Sequence, residues 1–371
     1  MARSTARRRP RILALASLCF VVACADSPVA PASFEAVDLS LPWQTADPRA
    51  LSVDVAPLEE AADEAGNLDR MRSLLVVREG RIVLERYYHG FTRDSLADVR
   101  SVTKSVVSTL VGIALAQGEL RSLDLTVGEL LPPELGTPTG AQSAITLRHL
   151  LTMSGGFLWD ESGVSEYNNW RLSGDFIGHL LDRPVVDAPG STFNYNSAAV
   201  HLLGVLLELA VGTPLPVFAD LTLFGPLGIS RRRWEGMIDG SVNGGAGLDL
   251  RPRDLARLGQ LFLQGGRSGH RRILPREWVD LATAPSYDWS TPSGPVAALT
   301  YGYLWWIDRE RDAFLAWGYG GQFVYVAPSR ALVVVATTEW RYLSQEGGPS
   351  ALTSAVLDVI VNGIVPAVPA R

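Results

Sequence analysis

Short apolar runs separated by turn residues occur at both ends of the chain and predict β-strands. Residues 72–88 hold two such runs, 73–78 and 81–88, on either side of Glu79-Gly80, and predict a hairpin. Four runs nearer the C-terminus also predict strands: 299–307, 313–316, 322–327 and 331–338. We expect a closing helix at about 349–362.

A helical pattern begins at Ser101. Apolar residues then recur at close to helical spacing, namely Val102, Val106, Leu110, Ile113 and Leu115. The pattern predicts a buried helix that begins at Ser101 and is stopped by Gly118. Ser101 is therefore expected at a helix N-terminus, where backbone N–H groups and the helix dipole favour negative charge.

The middle of the chain is predicted to be mainly helical, with many loops. Apolar helical segments are expected at 146–153, 198–211 and 253–265. Because strands and helices flank this middle part, we predict an α/β (α+β) fold, with one antiparallel sheet built from both chain ends and flanked by helices. The expected boundaries are about 56–125 and 285–371 for the α/β part, and about 126–284 for the inserted helical part. No internal repeat is found.

The first residues resemble an export signal. Five arginines (Arg3, Arg7, Arg8, Arg9 and Arg11) precede the apolar run 12–23, which is too short to span a bilayer and typical of a signal peptide. The run ends in Val21-Val22-Ala23-Cys24, which resembles the lipobox of bacterial lipoproteins. We therefore expect a signal peptide over 1–23, lipidation of Cys24 and a flexible Ala-, Pro- and Ser-rich tether over 24–55.

This prediction places the protein in the bacterial cell envelope, on the periplasmic or outer face, in contact with the membrane through a lipid anchor only. Ordinary secretion, with Cys24 a bystander, is the alternative.

Composition excludes several other classes of protein. The formal net charge is −6, and no Lys/Arg run of note occurs outside the N-terminus, so no nucleic-acid partner is expected. The two cysteines are Cys19, which leaves with the signal peptide, and Cys24. The five histidines show no metal-ligand spacing, and no metal or cofactor is expected.

Lysine usage draws attention to one position. Of the 33 basic residues, 32 are arginine, and Lys104 is the single lysine. Only lysine of these two residue types readily loses its proton. Lys104 follows Ser101 by three residues, so an amine one helical turn along could act as the base for a serine nucleophile. A helix-capping serine and a solvated lysine are the alternative.

Further segments surround this Ser-x-x-Lys pair. They are 100–105 (RSVTKS), 145–156 (ITLRHLLTMSGG), 189–197 (PGSTFNYNS) with 202–204 (LLG), 224–229 (FGPLGI), 247–256 and 316–322 (AWGYGGQ). In this order they resemble the serine β-lactamase-like hydrolases, over about residues 72–363. That family also contains D,D-peptidases, esterases and 6-aminohexanoate-dimer hydrolases.

The resemblance implies a role for each matching residue. Ser101 would be the acylated nucleophile, Lys104 its base and Tyr195 a proton relay. The oxyanion hole would be formed by the backbone N–H groups of Ser101 and Tyr319. The family's β-lactamase/transpeptidase-like fold is also implied.

Two departures from the lactamase pattern affect the expected substrate. Ser197 stands where the second motif usually has Asn, and Ala316-Trp317-Gly318 lacks the cation of the third motif. Both favour the branch of the 6-aminohexanoate-dimer hydrolases and esterases, in which a loop tyrosine such as Tyr167 would close over the substrate. A surface position for Tyr167 is the alternative. The other substrate-binding candidates are Trp159, Ser197, Trp317, Gly318 and Gly320.

The sequence thus predicts a serine hydrolase that acts on a small ester, amide or lactam. No G-x-S-x-G motif is present, which argues against an α/β-hydrolase. A cell-wall D,D-peptidase, penicillin-binding or β-lactamase-type enzyme is the first alternative, and a catalytically silent envelope binding protein the second.

Overall fold

The computed structural model describes residues 34–341 and 348–371, in which both chain ends contribute to one sheet. The strands are β1 (Met71–Arg78), β2 (Arg81–Tyr87), β3 (Ala97–Asp98), β4 (Arg232–Trp234), β5 (Leu248–Leu250), β6 (Arg267–Ser268), β7 (Arg271–Arg272), β8 (Thr291–Ser293), β9 (Val296–Tyr301), β10 (Trp306–Asp308), β11 (Ala313–Gly318), β12 (Gln322–Ala327) and β13 (Leu332–Thr338). The helices are α1 (Val55–Gly66), α2 (Val102–Gln117), α3 (Val127–Leu130), α4 (Leu147–Leu151), α5 (Ser165–Ser173), α6 (Phe176–Leu181), α7 (Ser197–Val211), α8 (Leu215–Ala219), α9 (Pro252–Leu263), α10 (Arg276–Ala282), α11 (Gly348–Asp358) and α12 (Val365–Ala367).

The main sheet has eight strands in the order β2-β1-β13-β12-β11-β10-β9-β8, with antiparallel pairing throughout. Strand β1 pairs with β13, which brings the hairpin next to the last strand of the chain. The predicted α/β fold with a sheet from both chain ends is therefore confirmed. Within the predicted strand 299–307, the chain instead leaves the sheet at residues 302–305 and forms β9 and β10.

Both faces of this sheet are buried, which explains why its strands are continuous apolar runs. In β13, Val333 and Val335 belong to the core shared with the helical part, whereas Val334 and Ala336 belong to the core on the opposite face. The alternation follows the two-residue period of a strand. Helix α9 packs on the first face, and α1 with the C-terminal helices covers the second.

The C-terminal stretch 348–367 is long and apolar enough to cross a membrane by composition alone, but half of it is buried in the protein. Its apolar side chains are explained by the sheet beneath it. Cys24 and the predicted signal peptide lie outside the described residues.

The structure corrects the predicted tether. From residue 34 onwards the chain packs on the domain: Leu39 is buried, and Thr45 forms a bridge with Ile82 of β2. The Trp43 indole donates to the backbone oxygen of Arg253 over 3.0 Å. A Pro- and Ala-rich composition favours an extended chain. Composition does not reveal that a few residues of such a segment contact residues far away in the chain. A flexible tether cannot extend beyond residue 33.

Helix α2 runs through the middle of the structure. Residues 102–114 are all buried, so the helix is enclosed on all sides, although its buried residues include polar ones such as Thr103, Lys104 and Ser105. It ends at Gly118, whose left-handed conformation (φ 79°) lets its N–H bond to the last carbonyl groups. The predicted helix is confirmed. The segment just before it contacts the sheet at Gly318, where a methyl group would overlap the carbonyl oxygen of Val99.

We expect Gly318→Ala to separate β11 from the start of α2 and to lower the free energy of unfolding by about 1–3 kcal/mol, as overpacking does. Urea denaturation of both proteins checks this. Gly163→Ala is the matched control, because no atom lies within 4 Å of the added methyl. Equal stability of the two variants would contradict the close approach at Gly318.

Candidate active site

Ser101 occupies the N-cap position of α2, as predicted, but its side chain makes no capping hydrogen bond. Arg100 precedes it in a left-handed conformation (φ 50°) that residues other than glycine seldom adopt. Ser101 lines a cavity of about 1490 Å³. The alternative of a helix-capping serine is therefore wrong.

Lys104 is buried, with 1% of its surface exposed, so the alternative of a solvated lysine is also wrong. Its Nζ atom is hydrogen bonded to Ser101 Oγ (2.9 Å), to Ser197 Oγ (2.9 Å) and to the backbone oxygen of Gly245 (2.6 Å). None of the described carboxylates forms an ion pair with it. The pKa of Lys104 is lowered to about 7, mainly by burial; the Glu161 charge opposes this shift and the Arg100 charge adds to it.

The partners of Lys104 determine which way its protons point. The Gly245 carbonyl can only accept a hydrogen bond. Ser197 Oγ donates to Glu161 Oε1 over 2.5 Å, so it accepts from Lys104. In the neutral amine, the two N–H bonds then point to Gly245 O and Ser197 Oγ. The nitrogen lone pair therefore points to Ser101 Oγ. The geometry therefore allows Lys104 to take the proton of the Ser101 hydroxyl.

Tyr195 joins the same group of side chains. It shares a hydrogen bond with Ser101, and its ring centroid lies 4.8 Å from Lys104 Nζ. Burial raises the pKa of Tyr195 well above its ordinary value, so the phenol stays protonated at neutral pH. Its ring stacks on Trp306 at 6.1 Å, which holds it in place. A protonated phenol here can pass a proton between Ser101 and a leaving group.

Glu161 is a site residue that the sequence analysis missed. It accepts hydrogen bonds from Ser197 N (2.8 Å), Ser197 Oγ (2.5 Å) and the Trp159 indole (2.9 Å). These bonds orient the Ser197 hydroxyl and, through it, Lys104. Glu161 and Ser197 are 36 residues apart on a loop and a helix, and no spacing rule connects them.

The Gly245 carbonyl was also missed. The Asn243 side chain accepts from the N–H groups of Gly245 and Ala246 (both 3.1 Å) and so shapes this turn. At Gly245 a Cβ would lie 2.6 Å from the Ser197 backbone oxygen, so the turn can approach α7 only as glycine. Asn243 also donates to the Tyr167 hydroxyl over 3.0 Å.

Most of the predicted substrate-binding residues share the cavity wall with Ser101. They are Tyr167, Ser197, Trp317 and Gly320, and Tyr319, predicted for the oxyanion hole, lies on the same wall. Tyr167 belongs to α5 and is 8% exposed, so it is not a residue of an open surface loop.

The structure corrects two of these predictions. Trp159 is buried behind the site and bonds to Glu161, and it does not line the cavity. Gly318 is likewise absent from the wall, because it packs against Val99. Within the described residues, no group of three or more potential metal ligands occurs.

The chain matches the Beta-lactamase family model over residues 70–352. It is 32% identical over 215 residues to the esterase EstB of Burkholderia gladioli, which is 49% of this chain and 53% of that protein. This match spans only about half the length of the esterase. The chain is 25% identical over 309 residues to the 6-aminohexanoate-dimer hydrolase of Paenarthrobacter ureafaciens, covering 78% and 77% of the two chains.

Among solved structures, a proposed 6-aminohexanoate-dimer hydrolase from Bacillus anthracis superposes with a TM-score of 0.71. The sequences are 19% identical, and the alignment covers 91% of this chain and 90% of the other. At this sequence identity, the comparison shows that the two proteins share a fold and shows nothing further.

We expect kcat/KM to rise with pH through about 7, because a base with that pKa is protonated below it and free above it. Glu161→Gln removes the negative charge that raises the pKa of Lys104, so the acidic limb should move to lower pH. A pH profile of ester hydrolysis checks both. Asp160→Asn is the control: it removes a neighbouring charge from an exposed side chain and should leave the acidic limb at its wild-type pH. An acidic limb at the same pH in the wild type and both variants would contradict the assignment of Lys104 as the base.

Proposed function

The chain belongs to the β-lactamase family, and from that premise we propose that it is a serine hydrolase that cleaves a carboxylic ester or amide through an acyl-enzyme on Ser101. The observation that carries the proposal is the buried Lys104, whose Nζ lies 2.9 Å from Ser101 Oγ. Its relatives include an esterase and a hydrolase of an amide-linked dimer, which supports this choice of bond.

In the acylation step, Lys104 takes the proton of the Ser101 hydroxyl as Oγ attacks the substrate carbonyl carbon. The backbone N–H groups of Ser101 and Tyr319, which border the same cavity, would stabilise the oxyanion. When the intermediate collapses, the bond to the leaving group breaks, and the leaving group takes a proton through Tyr195. Lys104 then restores the proton of Tyr195.

Deacylation follows the same path in reverse with water as the nucleophile. Water attacks the acyl carbon and gives up its proton through Tyr195 towards Lys104, and Ser101 leaves with a proton as the acid product forms. The proton that Ser101 loses during acylation is thus replaced during deacylation by a proton from the attacking water. No cofactor is needed for this balance.

The third motif, Ala316-Trp317-Gly318 on β11, favours an ester or amide substrate over a β-lactam. Ala316 of β11 is 1% exposed and packed in the core, so the strand offers no cation at the position where the lactamase pattern has one. The cavity beside it is walled by Trp306 and Trp317, whose rings lie 5.3 Å apart. Such a wall suits an apolar acyl or leaving group.

We expect Ser101→Ala and Lys104→Arg each to lower kcat/KM for 4-nitrophenyl butyrate by more than about a thousandfold, because removal of a nucleophile or its base has effects of this size. Arginine keeps the positive charge but cannot act as the base. Ser191→Ala, on an exposed turn, is the control and should keep its activity.

Near-normal turnover by either variant would contradict the mechanism. A fluorophosphonate probe should label the folded wild-type protein at Ser101 and leave Ser101→Ala unlabelled. No labelling of the wild type would instead support a silent binding protein. Stable labelling by a fluorescent penicillin without ester turnover would support a D,D-peptidase.

We also propose that the protein is exported and lipidated at Cys24. Support comes from the Arg-rich start, the apolar run 12–23 and the Val21-Val22-Ala23-Cys24 sequence. Packing of the chain from residue 34 onwards leaves residues 25–33 between the anchor and the domain.

We expect the full-length protein, expressed in a bacterial host, to partition into the detergent phase. Cys24→Ala should move it to the aqueous phase, because the acyl chains provide the membrane affinity. Mass spectrometry of the N-terminal peptide checks the modification. Aqueous partitioning of the wild type would rule out the anchor.

A further inference from the structure

Arg100, directly before the nucleophile, is a cavity residue to which the mechanism gives no role. Its backbone is in the left-handed region (φ 50°) and its N–H donates to Asp98 Oδ1 over 3.1 Å. A non-glycine residue held in this conformation is strained, and such strain is concentrated at functional sites. Because the residue lines the same cavity as Ser101, its side chain is available to a bound substrate.

The guanidinium group of Arg100 is held by aromatic rings. Its central carbon lies 4.3 Å from the centroid of Trp340 and 5.5 Å from that of Tyr167. Stacking on a ring uses the face of a guanidinium, whereas its N–H donors point outwards in the plane. The rings therefore fix the orientation of the group without using its hydrogen-bonding capacity.

The other arginines of the cavity wall are already neutralised. Their ion pairs are Arg171 with Glu235 (2.7 Å), Arg233 with Asp249 (2.6 Å) and Arg341 with Asp98 (3.2 Å). Arg100 forms no ion pair or side-chain hydrogen bond with any residue in 34–341 or 348–371, and its Nε is buried without a partner. A partly buried cation without an anion is costly unless a ligand supplies one.

We propose that Arg100 binds a carboxylate group of the substrate, so that the preferred substrates are esters or amides that carry a free carboxylate near the scissile bond. The inference rests on the proposed hydrolase function and names the substrate class of that same site. Arg100 belongs to the segment before α2. The cation of the lactamase pattern belongs instead to the strand, at the position where this chain has Ala316. A planar guanidinium can hold a carboxylate through two parallel hydrogen bonds.

The test compares matched charged and neutral esters. One pair places the carboxylate on the acyl side, 4-nitrophenyl hemiadipate against 4-nitrophenyl hexanoate. The other places it on the leaving group, 4-acetoxybenzoate against phenyl acetate. Assays at pH 9 keep Lys104 neutral in all variants, since loss of the Arg100 charge raises the pKa of Lys104.

We expect the wild-type ratio of kcat/KM, charged over neutral, to exceed one for at least one pair. In Arg100→Gln that ratio should fall roughly tenfold to a hundredfold, mainly through KM, because a charge-assisted hydrogen bond is lost. Arg100→Lys should fall between the two, since it keeps the charge but not the planar donor pair. The ratio cancels any general effect of the substitution on acylation.

Arg233→Gln is the matched control, because it removes a cation of the same cavity wall that is already paired with Asp249. Its charged-to-neutral ratio should stay at the wild-type value. The inference is overturned if Arg100→Gln keeps the wild-type charged-to-neutral ratio, or if the wild type does not prefer the charged ester in either pair. Ester turnover in that case still supports the proposed function. A wild type that hydrolyses none of the four esters overturns the proposed function itself.

Discussion

The structure depends on one buried amine. Lys104 is enclosed in the first turn of α2 with three neutral oxygen partners and no contact with a carboxylate of the described residues, so desolvation works against its charged form. An ion pair in the same place would keep the amine protonated and useless as a base. Glu161 is present, but Ser197 stands between it and Lys104, so the carboxylate orients the amine without pairing with it directly.

Burying an amine in this way requires the fold to bring backbone very close to it. The Gly245 turn approaches Ser197 of α7, and the Gly318 end of β11 approaches Val99 just before α2, at distances that a side chain would prevent. The first contact places the Gly245 carbonyl where Lys104 donates to it, and the second joins the segment before α2 to the sheet. Segments that are remote in the chain therefore meet around Ser101 and Lys104.

The proposed mechanism and the proposed carboxylate site use different residues of this cavity. In the mechanism, Lys104, Tyr195 and Ser197 act on the reacting atoms or on each other. Arg100, Tyr167 and Trp340 lie beside Ser101 and present charge and ring surface to whatever part of the substrate extends outwards. Ala316 leaves the strand without a cation, whereas Arg100 places one beside Ser101 on a different element.

Local patterns in the sequence were sufficient for the hairpin, for α2 with its Gly118 end and for the pairing of Ser101 with Lys104, because each depends on spacing within a few turns. The order of the elements determined the sheet built from both chain ends. Only the tertiary structure revealed the roles of Glu161 and the Gly245 carbonyl, and that no carboxylate of the described residues pairs with Arg100, because each depends on contacts between segments far apart in the chain. It also showed Trp159 behind the site and residues 34–55 packed on the domain. Composition describes how a segment behaves when isolated, whereas burial and hydrogen bonding to distant residues decide what it does once the chain has folded.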